Sequence, residues 1–303
     1  MKDYLNEIND KFPIRRKKVQ KDLFFDYVRS ELGEEIVRVE VIDKNNNIII
    51  GDPEKAKVVI TAHYDTPAAS VVPNMMLPTN RLLGMMVNMI YPVLLSIACI
   101  AIALIAVNLL GLHGEYAAVI YVFLYLGIFY STTRLVANKH NKNDNTSGVA
   151  TVMTLAKYSE NDNVALILFD NEELGLLGSK AYNKAHKDMM KEKLLINLDC
   201  VGNGDQIIVM AKDKATQTEE YSKLYEAFSV DDEIFQIHHI PMKKASSNSD
   251  NKNFPASVGI TASSRGILAK FLTGRIHTVR DTIADGENID FLVERIGKFI
   301  DKI

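Results

Sequence analysis

Between Leu82 and Thr133 the chain runs for 52 residues with one fully charged side chain, Glu115. Few folds can accommodate such a stretch. A fully apolar helix left in water exposes a large sticky surface, and a domain of this size has little interior in which to hide two of them. Two spans are predicted, one over residues 84–110 and a second over 116–133, joined by the turn-like link GLHGE. The hydrocarbon core of a bilayer requires about 20 residues of helix. The first span exceeds that requirement and the second is at its short end. Tyr116 and Tyr130, near the ends of the second span, suit the two interfaces. The reading is a transmembrane helical hairpin, residues 81–133, in contact with a lipid bilayer through residues 84–133. A buried helical hairpin serving as an oligomer contact or lid is the competing reading.

The flanks orient the hairpin. Arg81 precedes it, Arg134, Lys139 and Lys142 follow it, and the link carries neither Lys nor Arg. The positive-inside rule then puts both termini and the catalytic domain in the cytoplasm, in a membrane protein with two spans. The segment MKDYLNEINDKFPIRRKK lacks the apolar run of a secretory signal peptide, which agrees with that placement.

The remainder reads as a polar enzyme. The formal net charge is −3, which argues against nucleic acid as a partner. The two cysteines, Cys99 and Cys200, form neither a disulfide framework nor a CxxC pair. Residues 15–33 have the pattern of an amphipathic helix, EEIVRVEVID and NNNIIIG of strands, and KVVITAHYD of a buried strand that turns polar at His63. SGVATVMTLAKYS reads as a helix, NVALILFDNEE and KLLINLDCVG as buried strands ending in acids, and QIIVMA, IFQIHHIP and SVGITA as shorter strands. TQTEEYSKLYEAFS and NIDFLVERIGKFIDKI read as helices. Alternating strands and helices predict an α/β fold, a three-layer α/β/α domain on a mostly parallel or mixed sheet. Residues 1–80 and 134–303 form that single discontinuous domain, with the hairpin inserted.

Sites in such sheets gather outside the C-terminal ends of the strands. Three predicted strands end there in candidate ligands: His63 and Asp65, then Glu172 and Glu173, then Asp199. Imidazole and carboxylate are the donors expected of zinc or a similar divalent ion. The supply of His63, Asp144, Glu173, Asp199 and His277 suits a two-metal site, which commonly needs one bridging carboxylate. His238 and His239 lie between strand-like residues and read as structural.

The ordered set AHYDT, NDNTSG, FDNEELGLLGS, INLD, SDNKNF and IHTVRDT resembles the M28 family of dinuclear zinc aminopeptidases. The resemblance covers residues 15–68 and 137–303 and leaves out the hairpin. It implies two divalent ions, zinc in that family. His63 and Asp199 would bind one, Glu173 and His277 the other, and Asp144 would bridge them. Glu172 would be the general base, Asp65 would orient His63, and Asp281 would support His277. The implied activity is removal of N-terminal residues from peptides. Glutaminyl cyclisation, hydrolysis of a non-peptide N-acyl amide, and a non-catalytic membrane scaffold are the alternatives. Two departures stand out. His63 and Asp144 are 81 positions apart, most of them hairpin, and SDNKNF carries Asn251 where a histidine is often found.

Overall fold

A computed structural model describes residues 2–72, 74–158, 161–230, 232–267 and 269–303. Along the chain run α1 (Tyr4–Lys11), α2 (Lys18–Leu32), β1 (Val37–Ile42), β2 (Asn45–Ile50) and β3 (Val58–His63). The inserted α3 (Arg81–Leu109) and α4 (Tyr116–Thr133) follow, then α5 (Gly148–Tyr158), β4 (Val164–Phe169), α6 (Leu177–Ala185), α7 (Lys187–Met190) and β5 (Leu194–Leu198). The chain closes with β6 (Gln206–Ala211), α8 (Glu219–Ala227), β7 (Gln236–Pro241), β8 (Ser257–Ser263) and α9 (Gly286–Ile300).

The strands form one mixed sheet in the order β1-β2-β4-β3-β5-β8-β6-β7. The central run β4-β3-β5-β8 is parallel, whereas the pairings β1/β2, β2/β4 and β6/β8 are antiparallel. Alternation along the central strands divides the core into two layers. Val58, Ile60, Ala62, Leu166, Leu168 and Ile196 face one side, where α1, α2, α5, α8 and α9 pack. Val59, Ile167, Phe169 and Leu195 face the other, against Tyr182 of α6 and Met190 of α7. The arrangement is α/β/α.

Helix α1 was not legible in the sequence. It has two turns, with Tyr4, Leu5 and Ile8 buried, and an Asp3 cap that accepts the Asn6 amide at 3.0 Å. The short helices α6 and α7 are likewise not legible, since nine and four residues give a periodic pattern little length in which to show.

The insert is a helical hairpin. Helix α3 starts at Arg81, three residues before the predicted span, because Asn80 caps it by accepting the Leu83 amide at 3.1 Å. At 1.5 Å per residue, α3 is roughly 43 Å long and α4 about 27 Å. Both are long and apolar enough to cross a membrane, by length and composition. Cys99, Ala103 and Val107, one turn apart, form the buried seam of α3, and α4 buries none of its side chains. Tyr91 Oη and Thr132 Oγ1 lie 2.6 Å apart and Ser96 Oγ and Tyr121 Oη 3.0 Å apart, linking the two helices. Pro92 sits inside α3.

Candidate metal centre

The sheet order brings the acidic strand ends together. β3 lies between β4 and β5, all parallel, so His63, the Glu172–Glu173 turn and Asp199 emerge side by side at one rim. Two further segments close over that rim: residues 142–147, carrying Asp144, and the loop before α9, carrying His277.

Asp144 is held from three sides. Its amide and that of Asn143 donate to the two carboxylate oxygens of Asp281, each at 3.0 Å. Asn145 Nδ2 donates to the Leu198 carbonyl at 2.9 Å, and Asn143 Oδ1 accepts the Gly202 amide at 2.8 Å. The two asparagines thus staple the segment to the end of β5. Gly148 lets α5 start there, since a Cβ would lie 2.5 Å from both Asn145 Oδ1 and the Leu198 carbonyl oxygen. Asp281 therefore supports the backbone at Asp144, which differs from its sequence-based role beside His277.

Each oxygen of Asp144 addresses a different histidine. Oδ1 is 3.3 Å from His63 Nε2, and Oδ2 is 3.0 Å from His277 Nε2. His63 Nε2 is also 3.8 Å from Asp199 Oδ1, and His277 Nε2 is 3.5 Å from Glu173 Oε2. Two groups able to hold a metal ion result, His63/Asp144/Asp199 and Asp144/Glu173/His277, sharing Asp144. Donors about 2.0–2.1 Å from a tetrahedral ion are about 3.4 Å from each other, so these separations suit two ions. Glu173 Oε1 is buried without a hydrogen-bond partner, the condition expected of a ligand atom. All five sequence-predicted metal residues meet here, and the donor set fits a divalent pair.

Asp65 and Glu172 adjoin the same cluster. The Asp65 carboxylate accepts the Glu172 and Glu173 amides at 3.0 and 3.2 Å, and its Oδ1 is 3.5 Å from His63 Nδ1. That ring nitrogen also lies 3.3 Å from the Asp65 carbonyl oxygen. Four non-glycine residues around the rim have left-handed backbone: Asn171, Leu176, Cys200 and His277, with φ of 53°, 62°, 55° and 59°. Such conformations cost roughly 1 kcal/mol or more each and cluster at functional sites.

Charge crowding sets the protonation of these groups. Burial pushes Glu172 well above the ordinary carboxylate range and Glu173 up to about 8. Burial alone would raise Asp144 too, but the hydrogen bonds from His277 and His63 hold it well below its ordinary value. Burial opposes the charged form of His277, yet Glu173 and Asp144 outweigh it and raise the imidazole to about 9. His63 is likewise raised against its burial by Glu172 and its hydrogen bonds to Asp144 and Asp199.

Residues 136–295 match the model of peptidase family M28, more than half of the chain. The chain belongs to peptidase family M28. No curated protein sequence matches this M28 chain. Among solved structures, the LapA aminopeptidase of Legionella pneumophila is 14% identical, with a TM-score of 0.55 over 99% of this chain and 68% of that one. The Porphyromonas gingivalis glutaminyl cyclase is also 14% identical, with a TM-score of 0.59 over 99% of this chain and 96% of that one. BSAP, a zinc aminopeptidase from Bacillus subtilis, is 17% identical with a TM-score of 0.51 over 85% of this chain. This chain spans about half of that enzyme, 49%. At these identities the likeness is one of fold. Fold, family and ligand clusters together make this M28 protein a metal-dependent hydrolase with a candidate dinuclear site. His63 lies outside the matched span and joins the site only through the sheet.

Four residues around the site were not legible in the sequence: Arg15, Asn143, Asn145 and Asp250. Arg15, placed by pattern at the start of the amphipathic helix of residues 15–33, lies before that helix and is fully buried. Its Nε donates to the Tyr64 carbonyl at 2.5 Å, Nη1 to the Phe12 carbonyl at 2.7 Å and Nη2 to Thr146 Oγ1 at 3.0 Å. It therefore ties the chain after His63 to the segment after Asp144. Asn143 and Asn145 resembled ordinary turn residues. Asp250, within SDNKNF, is buried near His63, and burial pushes its carboxyl up to about 7. The neighbouring Asn251 lines a small pocket beside Asp199. His238 and His239 bond to Gln206 and the Phe228 carbonyl, away from the site, as expected of structural histidines.

A cavity of about 1280 Å³ opens above the ligand clusters. Its floor holds His63, Asp144, Glu172, Glu173, Asp199 and His277. One wall comes from the base of the insert, Met85, Asn88 and Met89 of α3 with Tyr130 of α4 and the following Arg134. Arg134 Nη1 donates to the Glu173 carbonyl at 3.2 Å, so the end of the hairpin touches the glutamate turn directly.

Proposed function

We propose that this chain is a membrane-held aminopeptidase that uses two divalent ions, zinc by its donor chemistry, and Glu172 as general base. The observation that carries the reading is Asp144, with one oxygen toward His63 and the other toward His277. His63 and Asp199 would hold one ion, Glu173 and His277 the other, and Asp144 both. When bound, such a pair polarises the scissile carbonyl and makes water acidic enough to attack at neutral pH. The chain's own groups do the rest. Glu172, beside the ligands and not among them, takes the proton of the attacking water and delivers it to the leaving amine. Asp65 faces Nδ1 of His63, which leaves Nε2 directed at the ion.

A second reading is supported by the 96% coverage of the glutaminyl cyclase structure. Cyclisation needs no water, because the substrate's own amine attacks its side-chain amide. The paired ligand set, suited to activating water, favours hydrolysis.

The hairpin supplies the location. Helix α4 buries no side chain and α3 only a narrow seam, which supports a lipid environment for their apolar surfaces. Arg81, Arg134, Lys139 and Lys142 flank the hairpin on the domain side, and the positive-inside rule supports a cytoplasmic domain with both termini on that side. The active cavity then opens beside the membrane surface.

The test is a substrate profile on detergent-solubilised protein, with metal removed and restored. Aminoacyl-anilides, N-terminal glutaminyl peptides and N-acyl amides are compared. Metal-dependent release of an N-terminal residue is expected. Cyclisation alone would replace the first reading by the second, and no turnover of any amide would leave a non-catalytic protein.

A further inference from the structure

We propose that the base of the inserted hairpin is a specificity wall, selecting amide substrates that carry an apolar chain longer than an ordinary amino-acid side chain. The inference rests on the reading of the site as an amide hydrolase and adds the class of substrate.

Methionine supplies most of the wall's apolar side chains, beside Tyr130 and the cation Arg134. Of the eleven methionines in the chain, four line this cavity: Met75 and Met76 from the loop before the hairpin, and Met85 and Met89 from the first turns of α3. Met85 and Met89 are one turn apart and present one face. Both are more than half exposed, at 57% and 54%, so the surface is open to a ligand. Thioether side chains are flexible and polarisable, and they accommodate apolar chains of varied length better than a rigid pocket does.

The wall is also fixed in place. Asn88 bonds the backbone of Met75 in both directions, Nδ2 to the carbonyl and Oδ1 from the amide, each at 3.0 Å. The side-chain amide is thereby spent on the backbone, which leaves the methionine part of the wall apolar. Met76 pairs with Thr273, amide to carbonyl, at 3.0 and 2.9 Å. The four methionines line the same cavity as His63, Glu173 and His277, so a chain resting on them can place its polar end at the ligand clusters. Beyond Met89 the same helix continues as exposed apolar surface through Ile90, Val93, Leu94 and Ile97. An extended apolar chain can therefore lie along α3 while its amide reaches the cavity floor.

The experiment uses the full chain in detergent with metal restored and a series of 2-aminoalkanoyl anilides, from 2-aminopropanoyl to 2-aminododecanoyl. We expect kcat/KM to rise with chain length, by roughly threefold to fourfold per methylene that reaches the wall. The double variant Met85→Ser/Met89→Ser should flatten that rise, mainly through KM. Met86→Ser, on the same helix and outside the cavity, should leave the slope intact. Met85→Leu/Met89→Leu should restore it and excludes misfolding as the cause. A second readout needs no turnover. On metal-stripped protein, a diazirine derivative of 2-aminododecanamide should label the peptides carrying Met75–Met76 and Met85–Met89, and untagged amide should displace it. A flat length profile in the unaltered protein with short anilides still cleaved, or labelling spread along both helices and not displaced, overturns the wall. Labelling at the wall with no anilide cleaved overturns the hydrolase reading instead.

Discussion

Asp65 holds the backbone of Glu172: its Oδ1 accepts the Glu172 amide at 3.0 Å, and the same oxygen lies 3.5 Å from Nδ1 of His63. Its second oxygen takes the Glu173 amide at 3.2 Å. One carboxylate thus sets a candidate ligand on β3 and the acidic turn after β4 relative to each other. Asp65→Ala should weaken metal binding by roughly 10–100-fold, the usual loss when a group behind a ligand is removed. Chelator competition measures it, and an unchanged affinity would show that Asp65 has only a folding role.

Glu172 and Glu173 are adjacent but predicted to do different work. Glu172→Gln should keep both ions while lowering hydrolysis by roughly 10²–10⁴-fold. Glu173→Gln should lose part of the metal. Elemental analysis beside the rate assay separates the two, and metal loss in Glu172→Gln would make Glu172 a ligand.

Metal binding should depend steeply on pH. His277 is raised to about 9 by Glu173 and Asp144, which favours its protonated form at neutral pH in the protein by itself, and the carboxylates around His63 raise it in the same direction. A cation needs the imidazole lone pair and must displace those protons. Affinity should therefore tighten as pH rises toward about 9 and weaken as it falls below. Calorimetry in two buffers of different ionisation enthalpy should detect net proton release on loading at neutral pH; none would contradict the protonation described.

Arg15 is a structural cation whose loss should be felt at the site. Arg15→Met leaves the Tyr64 and Phe12 carbonyls without their donor, at a cost of roughly 3 kcal/mol. Lysine should not rescue it, because one ammonium cannot reproduce the guanidinium fork. Hydrogen exchange over residues 58–66 and 141–148 should accelerate together, and exchange unchanged in either segment would count against the link.

The hairpin orientation can be read by cysteine labelling, because Cys99 and Cys200 are both buried. Gly114→Cys in the link should react with an impermeant maleimide from outside intact cells. Lys139→Cys should react only after permeabilisation. The reverse pattern inverts the topology, and equal labelling of both positions argues against a spanning hairpin.

Much of this was legible in the sequence because it depends on local pattern. Val58–Val59–Ile60 running into His63 marks a buried strand with a polar end, and the 52 residues from Leu82 to Thr133 mark a hairpin by composition alone. The residue types of all five candidate ligands, and the order of their motifs, were there as well. What stayed hidden depends on contacts between distant segments. In the sequence Arg15 begins the amphipathic pattern of residues 15–33, and only its burial against residues 64 and 146 distinguishes it from Arg16. Asp281 looked like a partner for His277, since only the fold brings it to the amides of Asn143 and Asp144.

The sequence by itself determined the chemistry available: two imidazoles, a surplus of carboxylates at strand ends, and a pair of apolar helices inserted among them. Tertiary structure decided how these are used. The parallel order β4-β3-β5 puts the strand ends side by side, and Asp281 with Asn143 and Asn145 turns Asp144 so that each oxygen meets a different histidine. The base of the hairpin becomes a wall of the cavity because Asn88 and Thr273 bind the loop between them. Side-chain identity is a local property of the chain, whereas the direction of a lone pair and the lining of a cavity depend on segments far apart in sequence.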